Sequence, residues 1–404
     1  MRKLLVGLFL AVTAFAVTAQ KAPTPGEHAP AKHAARAQLA SGVAFAPDGS
    51  LWLVGLNAQG ELFVQSAPAG KLSQWNAPRI LATQGDAISA DGENRPKLAF
   101  GPKGWVVISY TQPLAKPYTG MIRMLRSTDG GQTFSKPFTV HADRQEIAHR
   151  FESVAFDAQG VLNTLWVDKR DMELAPKVGK KSSYQGAAIY RNTSNDGGAT
   201  FGPDIKLADH SCECCRIALA NGPDGNLRAM WRHVFESNVR DHGFAALGNE
   251  QPTQVVRASF DDWHLDACPH HGPGLVAAPD GGYHAVWFGI RKKGNEDIAA
   301  VRYARLNADG NPVAESVRAL PDPHAEHADV LAAGNRVAVV WRSVNGLYST
   351  LQAWLSKDGG KTFHLQTLGK VQGDNDHPRL AQSGERMVAV WRNAKEVLVY
   401  ELTF

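Results

Sequence analysis

Short apolar runs, paired across a glycine-centred turn, recur through the chain. "RPKLAFGPKGWVVISY", "RFESVAFDAQGVLNTLW" and "CRIALANGPDGNLRAMW" align on the turn glycine and a following aromatic residue. So do "HGPGLVAAPDGGYHAVW", "HADVLAAGNRVAVVW" and "HPRLAQSGERMVAVW", with "SGVAFAPDGSLWLVG" as a weaker first copy. Each reads as two short strands joined by a tight turn, often Asp-Gly, which suits a two-residue hairpin. The copies recur roughly every 50 to 66 residues, room for one four-stranded antiparallel blade each. The pattern predicts an all-β chain.

A second signature lies inside three of the repeats. "STDGGQTF" (127–134), "SNDGGATF" (194–201) and "SKDGGKTF" (356–363) share Ser-x-Asp-Gly-Gly-x-Thr-Phe. In such a turn the Asp accepts backbone N–H bonds, a Gly takes the positive φ and the Phe plugs the blade. This pattern resembles the Asp-box, or BNR, repeats of the sialidase family, over nearly all of the chain beyond its leader. The resemblance implies a sialidase-type β-propeller. Sialidases have six blades and seven repeat starts are present here, so six or seven are expected. Asp boxes occur on propellers of many functions and do not by themselves imply an activity.

The opening "MRKLLVGLFLAVTAFAVTAQ" has a basic head, an apolar run and small residues at its end. It reads as a secretory signal peptide over 1–19, too short for a stable anchor. "QKAPTPGEHAPAKHAARAQ" (20–38) reads as a flexible leader, and 39–404 as one propeller domain. These features predict an exported, periplasmic, monomeric protein with no membrane span. Removing Arg2 and Lys3 takes the net charge from +4 to +2, too balanced for a nucleic-acid partner.

In a propeller blade the first strand runs beside the axis, so whatever precedes it lies at the axial mouth. The entries here are Asn94-Arg95, His149-Arg150, Cys214-Cys215-Arg216 and His270-His271. His324 with Glu326-His327, and Asp376-His377 with Arg379, complete the set. Cys212 and Cys268 precede two of these entries. All four cysteines and at least five histidines are therefore expected at equivalent positions facing one mouth.

Three chemistries suit such a cluster. Disulfides would staple neighbouring blades and add about 2–4 kcal/mol. Thiolates of Cys212, Cys214, Cys215 and Cys268 with imidazoles of His270 and His271 would hold a soft metal, copper before zinc. His327 and His377 would stand behind them, and a periplasmic or outer-membrane copper-handling protein would be the partner. Thirdly, Cys214, Cys215 and Cys268 would act as redox thiols, reducing copper(II). Arg95, Arg150 and Arg216 would bind an anion or lower thiol pKa values.

The resemblance also implies an exo-sialidase alternative, with three arginines on the substrate carboxylate, a Tyr–Glu nucleophile and an Asp acid/base. Arg95 in Asn94-Arg95-Pro96 keeps the family's Arg-Pro but lacks its aromatic and intervening residue. Arg150, Arg216 and Arg379 offer further cations, Tyr348 the nucleophile with Glu152 or Glu213, and Asp168 the acid. A protein-binding propeller is the remaining class, with the insertion at 168–186 as its contact loop.

Overall fold

The apolar hairpins close into a ring of seven antiparallel sheets, the higher of the two expected blade counts. The computed structural model describes residues 38–404 apart from 180 and 249–252. The expected signal peptide, and the leader up to residue 37, lie outside the described residues. Blades 1 to 7 follow chain order. Their inner strands are Gly42–Phe45, Lys97–Phe100, His149–Phe156, Ala218–Asn221, Gly274–Ala277, Ala325–Ala333 and Arg379–Ser383. Each inner strand packs beside the next, and the last meets the first. Six blades have four strands and blade 7 has three.

Strand pairing follows the repeat. In blade 4, Ala218–Asn221 pairs with Leu227–Arg232, and Gly225 at the turn has φ +82°. That left-handed conformation explains the glycine there. The Asp boxes join the third and fourth strands of blades 2, 3 and 6, on the face opposite the inner-strand starts. In blade 2, Ser127 Oγ donates to Asp129 Oδ1 at 2.7 Å and Thr133 Oγ1 donates to Asp129 Oδ2 at 2.6 Å. These bonds, that from Thr133 first, hold the Asp129 carboxyl below its usual range.

The core repeats with the blades. Trp166, Trp231, Trp287, Trp341 and Trp391 occupy the second strands of blades 3 to 7 and are fully buried. A buried indole removes about 200 Å² from water, an upper limit of roughly 5 kcal/mol each. Tyr110 takes this place in blade 2 and donates its hydroxyl to Asp86 at 2.7 Å. In blade 1 the place falls to Gly55, where a Cβ would stand 2.5 Å from Arg392 Nη1.

In three blades the tryptophan is followed by an arginine that reaches the next blade. Arg232 donates to the carbonyls of His271 at 2.9 Å and Phe288 at 2.7 Å. Arg342 meets the Asn375 carbonyl at 3.4 Å. Arg392 crosses from blade 7 to blade 1, donating to Leu56 O at 2.6 Å and Ser41 Oγ at 3.1 Å. The ring thus closes through side chains and an apolar seam of Leu51, Leu53 and Phe63 against Ala381, Val388 and Val390.

Candidate metal centre

After the outer strand of blade 3 (Ile205–Ser211), the chain turns inward to start blade 4 at Ala218. The connection carries Cys212, Cys214 and Cys215. Cys212 is pinned by its N–H to Arg232 O at 2.9 Å, one residue beyond the core Trp231. All three sulfurs point into an apolar pocket with Phe151, Ile217, Trp231 and Leu247, and the three residues are buried.

The sulfurs form a near-equilateral triangle. Cys212 Sγ stands 3.7 Å from Cys214 Sγ and 3.9 Å from Cys215 Sγ, and Cys214 Sγ is 3.9 Å from Cys215 Sγ. Cys268 is exposed, and its thiol is a hydrogen-bond partner of Cys214. All four cysteines are free thiols. Between two of the sulfurs Glu213 is tied by an ion pair to Lys169, at the base of the blade 3 insertion.

The thiols are not equivalent. S–H bonds from Cys214 and Cys215, with Arg232 and Arg240 nearby, hold the Cys212 thiol well below its usual value although burial opposes this. Hydrogen-bonding contacts with Cys212, Cys215 and Cys268, in that order, raise Cys214. Burial, then Cys212, raises Cys215, and the bond from Cys214 lowers Cys268. Cys212 is thus the natural first thiolate, the form that binds metal.

The imidazoles gather elsewhere. His271, His327 and His377, from the entries of blades 5, 6 and 7, stack as a column with ring centroids 4.3 Å and 3.4 Å apart. His327 has φ +50° at a bulge in its strand, which turns its ring inward so that Nδ1 stands 3.2 Å from Glu93 Oε1. His377 fits because Gly92 opposite it has no side chain, and a Cβ there would lie 2.5 Å from the ring. Burial drives the pKa of His327 down to about 4 and of His271 down to about 3.

Glu93 sits at the foot of this column. It accepts from Arg216 Nη1 at 2.7 Å, from the Arg216 N–H at 3.1 Å and from the Gly272 N–H at 3.0 Å. Burial alone would raise its carboxyl, but Arg216 and His327 outweigh it and hold the pKa well below normal. Arg216 follows Cys215 directly, so the thiol loop is anchored to the axis through this carboxylate. Sequence reasoning passed over Glu93; an acid one residue before the Asn94-Arg95 entry was the available signal.

The sulfurs and the imidazoles therefore form two neighbouring groups. Among the described residues, Cys212, Cys214 and Cys215 are one set of mutually close ligand atoms, and Glu93, His327 and His377 are another. His270 lies apart, exposed and with φ +54°. The three-cysteine set offers a metal ion a sulfur-only site.

The axial cavity beside these groups has a volume of about 240 Å³ and is lined by Glu93, Arg95, Lys97, Arg216, Asp329 and Arg379 among others. Its cations are paired. Arg95 lies 3.1 Å from Asp376, Lys97 3.4 Å from Glu152, Arg216 2.7 Å from Glu93 and Arg379 3.5 Å from Asp329. Arg150 stands 3.8 Å from Asp91. The candidate sialidase residues have separate surroundings. Tyr348 is at an exposed hairpin tip with Lys370 Nζ 4.2 Å from its ring centroid. Asp168 is buried and accepts from Trp166 Nε1 at 2.8 Å and Arg170 Nη2 at 2.7 Å. Among the described residues no helix is long and apolar enough to cross a membrane.

No protein-family model matches the chain, and no curated protein matches it. Several solved structures do. A PL25 polysaccharide lyase, an ulvan lyase, aligns with TM-score 0.57 at 12% identity, over 90% of this chain and 94% of its own. YCF48 bound to D1 peptide aligns with TM-score 0.51 at 17% identity, over 91% and 93%. The Hadza microbial sialidase Hz136 aligns with TM-score 0.49 at 15% identity, over 87% and 73%. At such identities the likeness is one of fold, and that fold is a seven-bladed β-propeller.

Proposed function

We propose that this is an exported copper(I)-binding propeller, holding the ion through Cys212, Cys214 and Cys215 with Cys268 as an exchangeable fourth sulfur. The sulfur triangle carries the reading. With metal–sulfur bonds of about 2.3 Å, neighbouring thiolates stand about 3.8 Å apart in a tetrahedral site and about 4.0 Å apart in a trigonal one. The observed edges of 3.7 to 3.9 Å need almost no rearrangement. A sulfur-only donor set in apolar walls suits copper(I), with zinc the competitor.

The exposed Cys268 gives the buried site one sulfur that a partner's thiol can displace, as handover to a periplasmic or outer-membrane copper-handling protein requires. The same thiols supply a reductive route. Closing two of them into a disulfide releases two electrons and two protons and reduces two copper(II) ions, after which an external dithiol must restore them.

Anaerobic titration against a copper(I) chelator, with a parallel thiol count, tests the site. The reading expects about one tightly held copper(I) per chain and its loss in the Cys212→Ser/Cys214→Ser/Cys215→Ser variant. Unchanged copper in that variant overturns it.

A further inference from the structure

A second cluster of ligand-type side chains, separate from the thiols, lies between blades 2 and 3. His149 opens the inner strand of blade 3, Asp168 ends the strand beside it, and Asp143 comes from the connection between the blades. Their ligand atoms all lie within 4.8 Å of one another. His149 and Asp168 are wholly buried.

The hydrogen bonds fix which nitrogen of His149 carries the proton. Its Nδ1 faces the Gly120 carbonyl at 3.2 Å, so that nitrogen is the donor. Nε2 of the neutral ring then carries a lone pair. It is buried, has no hydrogen-bond partner, and is aimed between Asp143 Oδ2 at 3.8 Å and Asp168 Oδ2 at 3.7 Å. These separations are too long for hydrogen bonds. A lone pair facing two carboxylate oxygens is repulsive unless a positive centre lies between them.

The surrounding charge points the same way. Asp143, Asp168 and Asp204 surround the single guanidinium of Arg170, at 3.4, 2.7 and 3.0 Å respectively. His141, stacked on His149 at 3.9 Å, adds no charge: its Nε2 accepts from the Ile122 N–H and its Nδ1 donates to the Asp143 carbonyl. Three carboxylates against one cation leave two negative charges, the complement of a divalent ion. The backbone carbonyl on the far side of His149 is the usual orienting partner of a metal-bound imidazole.

We propose that Asp143, His149 and Asp168 form a second metal site, taking a divalent cation of the zinc or manganese type through two carboxylate oxygens and one imidazole nitrogen. Oxygen and nitrogen donors distinguish it from the sulfur site. With bonds near 2.1 Å, donors in a tetrahedral zinc site stand about 3.4 Å apart, so His149 Nε2 and each carboxylate oxygen need to close by only a few tenths of an ångström. Asp143 is half-buried and gives the ion a route in.

The site does not depend on the copper reading, and its test separates the two. The full chain, His149→Gln and Asp143→Asn are dialysed against zinc, the bound metal is counted, and thermal unfolding is followed with and without zinc. Cobalt(II) loading in parallel reports the sulfur site through its sulfur-to-cobalt charge-transfer absorption. Each variant is expected to hold one zinc fewer than the unaltered chain, to lose the zinc-dependent rise in Tm from this site, and to keep the sulfur absorption. Equal zinc in all three proteins overturns the proposal, as does an unaltered chain whose zinc is wholly removed by serine at Cys212, Cys214 and Cys215. Asp143→Asn, at a half-buried position and nearly isosteric, keeps the test valid if the buried His149 variant does not fold.

Discussion

Arg216 and Glu93, 123 residues apart in sequence, are joined twice, once through the Arg216 guanidinium and once through its backbone N–H. One carboxylate therefore fixes both the side chain and the main chain of the residue that follows Cys215. The thiol loop is held to the axis of the ring by this pair as well as by its own apolar packing.

Glu93→Gln should expose that dependence. Removing one partner of a buried ion pair leaves the other uncompensated, at a cost of about 3–5 kcal/mol. Glutamine keeps one acceptor, so the loss should fall toward the lower figure. A urea midpoint measures it. The same variant should weaken copper binding while leaving the thiol count at four, whereas unchanged stability would mean that the pair is not what anchors the loop.

Single cysteine replacements should divide the site into core and rim. Cys212→Ser removes the sulfur most disposed to ionise and should cost copper(I) affinity more than about 100-fold, beyond the loss typical of an orienting partner. Cys268→Ser should cost less at equilibrium but slow copper transfer to an external thiol. Chelator competition and stopped-flow transfer measure the two effects, and equal behaviour of both variants would count against the division.

The buried histidines predict an acid limit. Burial lowers His284 to about 3, where its Nε2 accepts from Arg305 Nη1 at 3.0 Å, and lowers His327 to about 4. Between pH 6.5 and about 4 the unfolded chain binds protons that the folded chain refuses. Stability is therefore fully present above pH 6.5 and falls as the pH drops, by up to about 1.4 kcal/mol per unit for each histidine. Glu93, held low, adds its own loss only when the pH falls below the unfolded carboxyl value. Urea midpoints from pH 8 to pH 4 should be flat and then steep, and less steep in His284→Gln.

Gly55 and Arg392 offer a coupled pair at the ring seam. Gly55→Ala puts a methyl into the guanidinium and should destabilise by about 1–3 kcal/mol. Arg392→Ala leaves Leu56 O without its donor, at about 1–3 kcal/mol. Because the second change empties the space the first intrudes upon, the double variant should be more stable than the sum predicts by at least about 0.5 kcal/mol. Strict additivity would deny the contact.

The blades were legible because their signal is local and repeated. Seven glycine turns gave seven inner hairpins, and each Asp box fell between a third and a fourth strand. The blade entries were legible for the same reason, but the direction of each side chain was not. Cys215 and His271 occupy equivalent entries, yet one turns into an apolar pocket and the other into a stack over Glu93. Asp143 lies outside any repeated position, so nothing in the pattern pairs it with His149. Trp-Arg recurs at 231–232, 341–342 and 391–392, but the reach of these arginines into the next blade depends on the ring and not on the strand.

Blade 7 has three strands, and among the described residues all three come from the C-terminal end of the chain, from Arg379 onward. Among the described residues the first and last blades are clasped, not interlaced, so their joint is expected to be the weakest in the ring and the first to open. In hydrogen exchange, amides of blades 1 and 7 should lose protection before those of blade 4. Three blades separate the thiol-bearing blade from that joint in either direction, which places the cysteines at the point of the circle most remote from where the protein first comes apart.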